Sequence, residues 1–87
     1  MIIWYVKDGI HERVTSLATK AFDICKAYIK ERAEVFVISG QLNKDDELMW
    51  ITKKNTELFE SFMRNNEYFE VKGICRAVAL EVEEWKR

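Results

Sequence analysis

The segment from residue 34 to residue 54, EVFVISGQLNKDDELMWITKK, limits the possible folds of this 87-residue chain more than any other. It has the pattern of a β-hairpin with strands at 34–40 and 47–53 around a polar turn that holds the acidic run 45–47. A hairpin with one face in water alternates apolar and polar side chains. Here consecutive positions are apolar in both arms: Val35, Phe36, Val37 and Ile38 in the first, Leu48, Met49, Trp50 and Ile51 in the second. The pattern therefore predicts a sheet that is covered on both faces.

The remaining segments supply the elements that surround this hairpin. Residues 2–7, IIWYVK, have the β-branched and aromatic content of a strand, and Asp8-Gly9 marks a turn after them. Residues 10–33 place apolar side chains on one broad face at helical spacing, which predicts an amphipathic helix. Asn55 or Thr56 is suited to cap a second helix, which the paired asparagines 65–66 would end.

The C-terminal segment 67–87 fits a strand or a helix, and its valine content favours the strand. With the strand, the order is β-α-β-β-α-β. This is the ferredoxin-like arrangement, with a four-stranded antiparallel sheet and both helices on one face. The alternative is a three-stranded sheet with a C-terminal helix. In either case the length predicts one α+β domain over residues 1–87.

Composition limits the class of partner. The net charge is −1, from 14 basic and 15 acidic side chains, so a protein that depends on phosphate contacts is disfavoured. No segment approaches the length of an apolar membrane span. The two cysteines, Cys25 and Cys75, form no CxxC pair and are typical of reduced, buried thiols in a cytoplasmic protein.

No set of residues predicts catalysis or a cofactor. His11 is the only histidine, and we expect it to be a solvated residue near a helix start, without the second histidine of a usual metal site. Cys25 falls on the apolar helix face, where a thiol is shielded and inert. The sequence therefore predicts a non-enzymatic protein with no cofactor and no metal.

The predicted sheet has more apolar surface than two helices on one face can cover. In the first strand, Ile2, Trp4 and Val6 form the more uniformly apolar set and are assigned to the helix side. The residues left on the outer face of the two central strands are the candidate partner-binding residues: Ile3, Tyr5, Lys7, Leu48 and Trp50. An apolar patch of this kind marks an interaction surface unless a C-terminal helix covers it.

The predicted function is thus a small protein-interaction module, such as a regulator, adaptor or inhibitor, that binds a protein partner, forms a homodimer, or both. One alternative is a single-stranded nucleic-acid binder, because IIWYVK resembles the first signature strand of RRM domains, although ELMWITKK retains only Trp50 of the second aromatic set. A second alternative is a small ferredoxin-like enzyme, which would require a pocket between sheet and helix lined by His11 or a glutamate.

Overall fold

A computed structural model describes residues 1–85 and shows an α+β fold. Its elements follow one another as β1 (Ile2–Asp8), β2 (His11–Thr15), α1 (Ala18–Ile38), α2 (Lys44–Arg64), β3 (Tyr68–Val71), β4 (Cys75–Glu81) and α3 (Val82–Trp85). The strands form a four-stranded sheet in the order β2-β1-β4-β3, with every neighbouring pair antiparallel. Two β-hairpins therefore lie side by side, and the α1–α2 hairpin connects them.

The predicted α+β class with a four-stranded antiparallel sheet is confirmed, but the ferredoxin-like order is not. The observed order is β-β-α-α-β-β-α, because residues 34–38 and 47–53 belong to helices, and residues 39–40 to the turn after the first of them. In the first of these segments, Val35 to Ile38 form the last turn of a helix that is already established from Ala18 onward. Extending an existing helix adds one hydrogen bond for each residue that is fixed, and this outweighs the weak β preference of four side chains.

The turn between α1 and α2 accounts for the polar residues that the sequence places in a hairpin loop. Gly40 ends α1 with φ of +80°, a left-handed conformation that glycine adopts without a steric penalty. The Asn43 side chain then caps α2 by accepting the backbone N–H of Asp46 at 2.8 Å. The acidic residues 45–47 occupy the first turn of α2, where their negative charge is stabilised by the helix dipole.

The predicted helix over residues 10–33 begins too early. Residues 11–15 form β2, which folds back on β1 through a turn at Gly9 with φ of +50°. In the C-terminal segment the strand is confirmed over residues 75–81, preceded by the short strand β3, so a C-terminal helix in place of the fourth strand is wrong. The only helix there within residues 1–85 is the four-residue α3.

The hydrophobic core lies between the α1–α2 hairpin and one face of the sheet. Trp4 and Val6 of β1 face the helices, as predicted, and Ala77 and Cys75 of β4 join them. Phe69 is fully buried at the centre of an aromatic cluster, with ring centroids 5.3 Å from Trp4, 5.3 Å from Phe62 and 6.1 Å from Phe22. The core therefore uses one face of the sheet only.

The α1–α2 hairpin is longer than the sheet that it covers. Its helices have 21 residues each, or about 31 Å, whereas the longest strands have seven residues, or about 23 Å. Burial in α1 ends at Ala33, and Ile38 is 87% exposed. The tip of the helical hairpin therefore extends past the sheet into solvent.

Candidate functional site

The sheet face turned away from α1 and α2 carries an ordered set of side chains, because directly paired residues on neighbouring strands point to the same side. Three rows cross this face. The first row is charged and consists of Glu12, Lys7, Arg76 and Glu70. The second row is apolar and aromatic and consists of Val14, Tyr5, Val78 and Tyr68. The third row contains Ile3 and Leu80. We call these ten residues the open face.

The apolar rows of the open face form a continuous patch. Val14 is 43% exposed, and Tyr5, Tyr68, Val78 and Leu80 are each partly buried by their neighbours. Ile3 is only 8% exposed, although it does not belong to the core cluster under the helices. The open face thus contains buried and partly buried apolar side chains that lie outside the core cluster under the helices.

The hydroxyl groups of both tyrosines on the open face interact with carboxylates of the charged row. A hydrogen bond with Glu12 raises the pKa of Tyr5, and burial of the ring raises it further. In the same way, a hydrogen bond with Glu70 raises the pKa of Tyr68. The positive charge of Arg76 opposes both shifts. These interactions direct the polar ends of both tyrosines toward the charged row.

These shifts predict how the protein responds to alkali. We expect Tyr5 and Tyr68 to ionise above the ordinary tyrosine pKa of 10.0, since the folded state favours the protonated hydroxyl. Their contribution to stability is complete below pH 10 and is lost as the pH rises through the raised values. Tyrosinate absorbance during a pH titration measures this, and Glu12→Gln should lower the pKa of Tyr5. The matched control is Glu60→Gln on α2, and a Tyr5 pKa that Glu12→Gln leaves unchanged would contradict the assignment.

The predicted partner-binding residues do not form one site. Ile3, Tyr5 and Lys7 lie together on the open face, in the outward direction that the sequence indicates. Leu48 and Trp50 lie instead on α2, in the helical layer on the opposite side of the sheet. Trp50 packs edge-on against Phe36 of α1, with ring centroids 5.5 Å apart, and Leu48 is 71% exposed.

The sequence did not predict seven of the ten residues of the open face: the charged residues Glu12, Glu70 and Arg76, and the apolar or aromatic residues Val14, Tyr68, Val78 and Leu80. Val78 and Leu80 share one side of the C-terminal segment when that segment is treated as a strand, so a signal for them was present. Val14 was assigned to a helix. Tyr68 lies on a four-residue edge strand, which is too short for a clear alternation.

His11 lines a depression of about 330 Å³ between the β1–β2 turn and α1, together with Tyr28 and Glu31. It lies at the start of β2 and not near the start of a helix as predicted. Its Nδ1 is 3.9 Å from a carboxylate oxygen of Asp8, which is too long for a hydrogen bond. The depression has the lining that the enzyme alternative requires, His11 and a glutamate, but His11 and Asp8 do not form a hydrogen-bonded pair in it.

The two cysteines lie in the core, as predicted for Cys25. Both are free and buried, and the Cys75 thiol is 3.9 Å from the backbone carbonyl oxygen of Cys25. The neighbouring Cys75 thiol, together with burial, raises the pKa of Cys25 well above its ordinary value. A thiol that stays protonated is a weak nucleophile, so this pair packs as small apolar groups.

Comparisons with protein-family models, with curated proteins and with solved structures each return no match. Among residues 1–85, no three His, Cys, Asp or Glu side chains converge in a way that could hold a metal ion. No helix in the same part of the chain combines the length and the apolar character needed to cross a membrane. The surface geometry is therefore the basis for a functional proposal.

Proposed function

We propose that this protein is a non-enzymatic protein-interaction module, of the kind that serves as a regulator, adaptor or inhibitor, and that its open face binds a protein partner. One observation carries the proposal. The sheet presents a continuous apolar and aromatic patch on the face opposite to the helices, so the patch contributes nothing to the main core. Apolar patches on small proteins commonly mark interaction surfaces.

The composition of the open face suits an interface. Tyrosine is enriched at interfaces because it combines apolar area with a hydrogen-bonding end, and its ring loses little conformational freedom on binding. Here Tyr5 and Tyr68 flank Val78, and Glu12 and Glu70 interact with their hydroxyls.

The charged row favours a different protein over a second copy as the partner of this face. If two copies packed face to face about a twofold axis along the strands, Lys7 would face Arg76 of the other copy. Glu12 would face Glu70 of the other copy in the same arrangement. A twofold axis across the strands, centred on the tyrosine row, would place the charged row over Ile3 and Leu80. Like charges directly opposite destabilise a pairing, and so do charges buried against apolar groups.

Photo-crosslinking in the native host tests the proposal. We expect a benzophenone amino acid at position 68 to give a discrete adduct with one protein, since that position lies within the open face. Adding Val78→Glu should remove the adduct, because it places a charge at the centre of the patch. The matched control carries the same benzophenone at position 20 on the exposed side of α1. The proposal is wrong if position 68 gives no adduct or if both positions give the same adducts.

A single-stranded nucleic acid is the second candidate ligand, and one observation favours it. Tyr5 and Tyr68 provide two rings on a sheet face, and Lys7 and Arg76 are adjacent to them. Rings of this kind stack on bases, and basic side chains contact phosphates. The flanking Glu12 and Glu70 cancel the positive charge of the row, which disfavours this ligand. Fluorescence anisotropy with labelled single-stranded RNA at low salt tests it, and no change in anisotropy would eliminate it.

A further inference from the structure

Helix α2 carries a second apolar surface that lies away from the sheet. At about 100° per residue, six residues fall within an arc of about 100° on its outer side. We call them the α2 stripe: Leu48, Met49, Thr52, Thr56, Phe59 and Met63. Between residues 48 and 63, no charged side chain falls within this arc. The buried Leu58 faces the opposite direction, toward the core.

The α2 stripe is exposed along its whole length. Its four large apolar side chains are between 53% and 72% exposed. The hydroxyl of Thr52 donates to the carbonyl oxygen of Leu48 at 2.8 Å, and that of Thr56 donates to the carbonyl oxygen of Thr52 at 2.9 Å. Because both hydroxyls are satisfied by the helix backbone, these threonines add methyl groups to the apolar surface.

The spacing of the stripe is that of a helix-pairing surface. Met49, Thr52, Thr56, Phe59 and Met63 follow one another at intervals of three, four, three and four residues. This is the a/d pattern by which two helices pack side chains into each other's gaps. The positions flanking it on one side are Lys53 and Glu60, which carry opposite charges.

We infer that the α2 stripe binds the α2 stripe of a second copy of this chain, with the two helices antiparallel about a twofold axis near Thr56. In this arrangement the a positions of one helix (Met49, Thr56 and Met63) pack beside the d positions (Thr52 and Phe59) of the other. Lys53 and Glu60 each follow a d position, Thr52 and Phe59, and therefore occupy e positions. In antiparallel helix pairs the e positions of the two helices face one another. Lys53 therefore lies beside Glu60 of the second copy, and the symmetry forms this pair twice.

The two ends of α2 also carry opposite charges. The first turn of α2 is acidic, with Asp45 and Asp46, and its last turn is basic, with Arg64. Antiparallel pairing places Arg64 of one copy near these aspartates of the other, and it also aligns the two helix dipoles favourably. A parallel pair would instead place the acidic turns together. The charges thus specify both the second copy and its orientation.

This interface leaves the open face free. The helical layer lies on one side of the sheet and the open face on the other, so a dimer through α2 presents two open faces that point away from each other. The inference does not depend on the proposed function, because it uses different residues and a different face.

Sedimentation velocity over a range of concentrations tests the pairing. We expect wild-type protein to sediment as a species of twice the 10.4 kDa chain mass at high concentration, and to dissociate on dilution. Phe59→Glu should weaken association by at least about a hundredfold, since it buries an unpaired charge twice. Lys53→Glu should weaken it by about tenfold, because two attractive pairs become repulsive. Lys20→Glu on α1 is the matched charge-reversal control and should have no effect.

The double variant Lys53→Glu with Glu60→Lys gives the sharpest result. Exchanging the charges restores both pairs only if Lys53 and Glu60 meet across the twofold axis, so we expect dimerisation to return to near the wild-type level. The inference is overturned if wild-type protein stays monomeric at all concentrations, or if the double variant associates no better than Lys53→Glu. Val78→Glu should leave the dimer intact, and loss of the dimer there would place the interface on the open face instead.

Discussion

Ile29→Ala should lower the free energy of unfolding by about 2–5 kcal/mol, whereas Ile38→Ala should leave it almost unchanged. Ile29 is fully buried in the core and Ile38 is 87% exposed, yet both lie on α1. The first substitution leaves a cavity against the sheet, and the second removes atoms that already contact water. Native domains have only about 5–15 kcal/mol of net stability, so Ile29→Ala should unfold at clearly lower urea concentrations.

Comparing these two variants also distinguishes the observed fold from the predicted ferredoxin-like fold. If residues 34–40 were a strand of a sheet covered on both faces, Ile38→Ala would create a cavity and be costly. In a helix end it should be neutral, because alanine is the better helix former. Urea unfolding followed by circular dichroism measures both variants, and comparable losses for the two would contradict the helical tip.

Val78→Glu should reduce the affinity for the protein partner by at least about a hundredfold while leaving the domain folded. Val78 lies between Tyr5 and Tyr68 at the centre of the open face, so the new carboxylate would be desolvated without a partner charge. The fold tolerates the change because the side chain is only partly buried and faces away from the core.

Isothermal titration calorimetry with the partner identified by crosslinking measures the affinity of Val78→Glu. Thr19→Glu adds the same charge to the exposed side of α1 and should bind as the wild type does. Equal affinities for wild type and Val78→Glu, with both folded, would show that the open face is not the binding surface. Equal losses in both variants would point to a general effect of charge.

The sequence could predict the elements whose local pattern agrees with their tertiary surroundings. The β-branched and aromatic content of residues 2–7 gives the first strand, and strand geometry places Trp4 and Tyr5 on opposite faces. Helical periodicity gives the buried face of α1, including Cys25 and Ile29. In both segments, propensity and burial indicate the same element.

The predicted secondary structure is wrong where propensity and burial indicate different elements. Residues 35–38 are β-branched or aromatic, but they extend a helix whose other residues favour it. Helix geometry spreads these four side chains around the axis, so that Phe36 packs on Trp50 and Ile38 lies in solvent. The capping signals of Gly40 and Asn43 were present and mark the true turn. Val14 matched the helical periodicity, and only its pairing with Tyr5 places it in β2.

In the candidate site, too, some residues follow from the local sequence pattern and others do not. Alternation alone places Ile3, Tyr5 and Lys7 together on one face of a strand. The neighbours that complete the open face come from three other strands, and strand order depends on tertiary packing that no local pattern encodes. Leu48 and Trp50 were included only because their segment was assigned to the sheet, and they lie in the helical layer.

Chemical-shift mapping by NMR, with the partner added stepwise to isotope-labelled protein, tests most directly whether the open face is the docking surface. We predict that the largest shift changes fall on the apolar rows of the open face and the residues next to them, with α2 nearly unaffected. Changes concentrated on α1, on the tip of the helical hairpin or in the depression beside His11, with Tyr5 and Val78 unmoved, would contradict the account.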